Sequence, residues 1–87
     1  MFYLVRMIQA DTVKKGTSYS NSLKILARNI KRYRTGKGYT QETMADHGFN
    51  YRHYQKIESG AYSPNLQTLH RVATVLGVSL EELFEGI

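Results

Sequence analysis

The sequence has no cysteine, a single proline and no long apolar run. Without cysteine, neither a disulfide framework nor a thiolate metal site is available. That absence fits a cytoplasmic protein. The longest apolar run, Phe2 to Val5, is far too short to span a membrane. No basic segment followed by a long apolar stretch opens the chain, so no secretory signal is expected. Also lacking are a Ser-His-Asp or Cys-His set, a glycine-rich phosphate loop and a pair of acids at usable spacing, so no enzyme and no cofactor is expected. His47 and His53 fall on different elements with no third ligand near them in sequence, and no metal site is expected. His70 reads as a surface residue. With 87 residues the chain is one domain at most, with a modest core.

Acidic residues are scarce, and the charge is unevenly spread. Residues 1–60 hold eleven of the twelve Lys and Arg but four of the seven Asp and Glu. After them, Arg71 stands against Glu81, Glu82 and Glu85. A basic body with an acidic tail suggests one surface that meets a polyanion and another that does not.

Residues 1–20 read as an N-terminal arm and 21–87 as the domain. Phe2 to Ala10 is rich in aromatic and β-branched residues, as in a short β-strand. Lys14 to Asn21 has the composition of a loop. Helices follow. Ser22 is a candidate N-cap, after which Leu23, Leu26, Ala27, Ile30 and Tyr33 recur at helical spacing, leaving Lys24, Arg28, Lys31 and Arg32 on the other side. Gly36 and Gly38 end this helix. Thr40 caps a second, with Glu42 suitably placed in its first turn, and Gly48 stops it early. Asn50 caps a third, Tyr51 to Ser59, closed by Gly60. Pro64 marks a new start with Asn65 as cap, and Leu66, Leu69, Val72, Ala73 and Leu76 form one apolar stripe ended by Gly77. Ser79-Leu80-Glu81-Glu82 is a capping box for a short fifth helix anchored by Leu83 and Phe84. The expected fold is all-α: a compact five-helix bundle preceded by the arm.

Five short helices in this order resemble the phage-repressor (Cro/CI-type) helix-turn-helix family over about Leu26 to Phe84. Thr40-Gln41-Glu42 with Met44-Ala45 looks like its second helix, and Gly48 stands at its turn glycine. Tyr54, Ile57, Glu58 and Gly60 match its third helix and exit. Pro64, Leu69, Val72-Ala73, Leu76-Gly77-Val78 and Leu83-Phe84 match its C-terminal pattern. No single match is specific; the ordered set is. One departure stands out: only Asp46-His47 separates Ala45 from Gly48, where the family has three residues.

The resemblance implies a transcriptional regulator, with 50–59 as a recognition helix in the DNA major groove and no catalytic residues. The second helix would then point its N-terminus at a phosphate, helped by Thr40 and Gln41. On the third helix, Tyr54 and Ile57 should face the core and Tyr51, Arg52, Gln55 and Lys56 the outside. Arg52 and Lys56 suit guanine O6 and N7, Gln55 suits adenine, and Tyr51 suits a thymine methyl or a phosphate. Asn50 caps and is placed to reach the backbone, and His53 is placed for a phosphate or for solvent. Ser59 and Tyr62 flank a loop that would run beside a second phosphate cluster, unless Tyr62 packs on the core. Arg34 and Glu58 resemble the family's structural ion pair between the first and third helices.

Proteins of this class usually act as dimers on half-sites about one helical turn apart. A homodimer through the arm (Phe2, Leu4, Ile8) or the C-terminal helix (Leu80, Leu83, Phe84, Ile87) is therefore expected on a palindromic operator. The alternative is an antitoxin-like or other protein-interaction module that binds DNA secondarily.

Overall fold

The computed structural model describes residues 18–87. The expected strand of Phe2 to Ala10 lies outside the described residues. Five helices follow in order: α1 (Tyr19–Gly36), α2 (Gln41–Asp46), α3 (Tyr51–Glu58), α4 (Leu66–Leu76) and α5 (Leu80–Leu83). Among the described residues there is no strand, so the all-α expectation holds there.

Each helix begins where a short polar side chain accepts a hydrogen bond from a first-turn N–H that has no partner within the helix. Thr40, Asn50, Asn65 and Ser79 do this for α2 to α5, as their sequence positions suggested. For α1 the cap is Ser18, not Ser22. Its hydroxyl accepts from the Asn21 N–H at 3.1 Å, while the Ser22 N–H already bonds the Ser18 carbonyl at 3.0 Å. Several capping side chains crowd this stretch, and composition alone could not choose among them. α3 ends at Glu58, with Ser59 as its C-cap, one residue earlier than expected.

The core is one cluster. Leu26 and Ile30 of α1, Met44 of α2, Phe49 of the turn, Tyr54 and Ile57 of α3, four residues of α4 and Leu83 of α5 contribute to it. Two apolar residues lie elsewhere than expected. Leu66, read as part of the α4 stripe, is 63% exposed because it sits at the helix's first position, over a groove rather than over the core. Leu83, counted among surface residues available to a second subunit, is fully buried. The short α5 drives this side chain fully inward, with half-buried Leu80 packed beside the core.

Asn29 fixes that end of the chain. It is buried, and its Nδ2 donates to the carbonyls of Leu83 and Glu85, both at 2.8 Å. Carbonyls at a helix C-terminus have no intrahelical partner, and burying them unpaired would cost free energy. Asn29 therefore ties α5 to α1.

Candidate nucleic-acid interface

α2, the turn after it and α3 form the centre of the candidate interface. α2 opens with a reciprocal cap: the Thr40 hydroxyl accepts from the Thr43 N–H at 3.1 Å, and the Thr43 hydroxyl accepts from the Thr40 N–H at 3.2 Å. The turn is short. His47 stacks on Tyr39, with ring centroids 5.7 Å apart. Gly48 has φ +100°, a conformation that side-chain-bearing residues rarely adopt. Phe49 is buried against Tyr54, and Asn50 caps α3 by accepting from the His53 N–H at 3.0 Å.

α3 has two faces. Tyr54 and Ile57 are buried, while Tyr51, Arg52, Gln55 and Lys56 are exposed together. No acid stands among these four. His53 is half-buried, its ring edge-on to Tyr62 at 5.3 Å. The Tyr62 ring packs on the core, as one of the two sequence expectations had it. Ser59 is exposed; its hydroxyl donates to the Lys56 carbonyl and accepts from the Ala61 N–H. α1 passes close to this exit, so a Cβ added at Gly60 would lie 3.6 Å from the Lys24 Cα.

Behind the exposed face lies a charged hub. The Arg34 Nε donates to Glu58 Oε2 at 2.6 Å and its Nη2 to Oε1 at 3.0 Å, a two-pronged pair. Both side chains are buried, at 8% and 3% exposure. Arg34 Nη1 also donates to the Tyr39 carbonyl at 2.8 Å. Glu58 accepts from the Tyr54 hydroxyl as well, and from Gln41 Nε2 at 3.1 Å. Burial pushes the Glu58 carboxyl up, but hydrogen bonds from Arg34, Tyr54 and Gln41 outweigh it and hold the group below its ordinary value. The Tyr54 hydroxyl is driven upward by burial and by the carboxylate it faces.

Gln41 carries the hub outward. Its Oε1 accepts from Gln55 Nε2 at 3.3 Å, and that same Nε2 donates to the Tyr51 hydroxyl at 3.2 Å. Two of the four exposed residues are thereby linked to the buried carboxylate. Sequence reasoning took Gln41 as a phosphate contact and did not foresee this link. It also missed the Tyr54 hydroxyl and Arg71, whose Nη2 donates to the Gly48 carbonyl at 2.8 Å. A Tyr among Ile- and Leu-type core positions was the one available signal for the former. Among the described residues, no three His, Asp or Glu side chains converge as a metal site would need.

A short glycine turn that sets an exposed basic helix against a second helix defines a helix-turn-helix protein. A family description, Helix-turn-helix, matches residues 30–83. The chain belongs to the Cro/CI-type helix-turn-helix family. It is similar to the SPbeta prophage-derived uncharacterized HTH-type transcriptional regulator YonR of Bacillus subtilis, at 40% identity over 63 residues, covering 71% of this chain and 58% of that protein. It is also similar to the uncharacterized HTH-type transcriptional regulator y4dJ of Sinorhizobium fredii, at 39% identity over 61 residues, covering 69% of this chain and 79% of that one. The chain thus spans little more than half the length of the YonR protein. No solved structure matches it significantly.

Glu58→Ala leaves the Arg34 guanidinium buried without its carboxylate, which costs about 3–5 kcal/mol. Thermal melting should show a large drop; an unchanged melting temperature would refute the structural role of the pair. The depressed carboxyl contributes stability above the ordinary range, near pH 4.3, and loses it as pH falls through the depressed value. The melting temperatures of the wild type and Glu58→Gln should therefore differ at neutral pH and converge in acid.

Proposed function

We propose that this protein binds double-stranded DNA sequence-specifically, with α3 in the major groove, and thereby regulates transcription in the cytoplasm. The observation that carries this is the outward face of α3, where Tyr51, Arg52, Gln55 and Lys56 are exposed side by side. Arg52 and Lys56 donate to guanine O6 and N7. Gln55 pairs with adenine by accepting from N6 and donating to N7. Both of its Nε2 hydrogens are engaged in the free protein, so adenine readout requires it to release Gln41 or Tyr51. Tyr51 offers its ring edge to a thymine methyl.

Thr40, Gln41, Asn50, His53 and Ser59 meet phosphates on either side of the groove and set register without reading sequence. Asn50 uses Oδ1 for its cap, which leaves Nδ2 for a phosphate oxygen. The Tyr62 ring packs inward, so its contribution is its hydroxyl and the support it gives His53.

A single short helix reads only a few base pairs, and a dimer on a palindromic operator doubles the site. On the described residues the apolar surface free for such pairing is Tyr19, Leu66, Phe84 and Ile87, around a groove of about 320 Å³. Half-buried Leu80 belongs to the same short C-terminal helix. The arm residues Phe2, Leu4 and Ile8 form the second candidate surface.

Selection from a random duplex pool should enrich a motif; failure to enrich one would favour a protein-interaction module instead. On the enriched site, Arg52→Ala should cost about 1–3 kcal/mol and relax preference at one position. Equal losses on all sequences would reassign Arg52 to phosphate. In sedimentation, Phe84→Glu with Ile87→Glu should yield monomer, and an unchanged dimer mass would move the interface to the arm.

A further inference from the structure

The α2–α3 turn has a brace from outside the motif. Only Asp46 and His47 separate Ala45 from Gly48, so the turn is a residue shorter than the pattern it otherwise follows. A shorter turn leaves less chain to position α3, and the Gly48 carbonyl lies exposed outside any helix, where a side-chain donor can reach it.

Arg71 supplies that donor. It lies on α4, which packs mainly against α1 and α5. Arg71 is also the one Lys or Arg beyond residue 60. Its Nη2 meets the Gly48 oxygen at 2.8 Å, and its guanidinium carbon stands 4.5 Å from the Phe49 ring centroid. A Cβ added at Gly48 would lie 3.4 Å from Nη2, so the backbone and guanidinium are already close. Phe49 in turn packs on Tyr54, and the next residue, Asn50, caps α3. One planar cation thus holds both the carbonyl and the ring of the two residues that lead into the helix. A lysine ammonium, a point charge without the planar fork, matches both partners less well.

We propose that Arg71 is a positioning residue for DNA recognition: by clamping Gly48 and Phe49 it fixes the angle at which α3 enters the groove. The proposal rests on α3 being the DNA-reading helix, and its test includes a readout independent of DNA. Arg71→Met removes the charge and fork while keeping much of the stem, and Arg71→Lys keeps the charge.

In hydrogen exchange on the free full chain, amides of residues 47–51 should exchange about tenfold faster in Arg71→Met, with an intermediate effect in Arg71→Lys. α1 amides should be unchanged. On a selected duplex Arg71→Met should bind about tenfold more weakly, while affinity for an unrelated duplex and the salt dependence stay as in wild type. Unchanged exchange across the turn would overturn the brace whatever the DNA result. Equal loss on both duplexes with a shallower salt slope would overturn it too, by making Arg71 a phosphate contact. Should the wild type select no motif while the turn still loosens, the brace stands and the DNA-reading role of α3 falls.

Discussion

The buried carboxylate of Glu58 takes hydrogen bonds from each of the first three helices. Arg34 reaches it from α1, Gln41 from α2 and Tyr54 from within α3. Charged groups are costly to bury, and this one is tolerated because Arg34 neutralises it and four donors surround its two oxygens. Among the described residues no buried side-chain polar atom lacks a partner. Such a hub is directional: it is satisfied only when α1, α2 and α3 stand in one arrangement. Hydrophobic packing of Ile30, Met44, Tyr54 and Ile57 supplies the drive to assemble but tolerates small rotations. The ion pair selects among them.

The exposed face of α3 depends on that selection. Gln41 joins the hub to Gln55, and Gln55 joins Tyr51, so these two side chains are tied to the hub in the free protein, and on the proposed readout Gln55 exchanges one of these bonds for adenine. Arg52 and Lys56 are exposed and lie outside this chain of bonds, and in the proposed complex they are the residues that meet guanine. The face thus combines a half tied to the hub with a half outside it, and on our proposal the brace at Gly48 and Phe49 sets the approach of both.

Most of the fold was legible because the sequence punctuates it plainly. Thr40, Asn50, Asn65 and Ser79 are good caps, Gly48, Gly60 and Gly77 adopt positive φ, and the apolar spacing between them is helical. The α1 start was not legible, because Ser18, Ser20, Asn21 and Ser22 all suit a cap and only the folded backbone chooses. Leu83 was misplaced because a four-residue helix is too short for periodicity to tell core from surface. The outward and inward faces of α3 followed from spacing alone. The Arg34–Glu58 contact, in contrast, joins residues 24 apart and was approached only through family resemblance. The links from Gln41 to Gln55, from Asn29 to the C-terminal carbonyls and from Arg71 to the turn are tertiary bonds between residues with no local spacing rule, so no pattern in the chain announced them.

The central claim is that α3 reads base edges from the major groove. Its most direct measurement compares the selected duplex with one in which the guanine assigned to Arg52 is 7-deazaguanine, which removes a single major-groove acceptor and leaves the minor groove and phosphates intact. The account predicts a loss of about 1–3 kcal/mol in wild-type affinity, and no further loss on that substitution in Arg52→Ala. Wild-type affinity indifferent to 7-deazaguanine at every guanine of the site would contradict it.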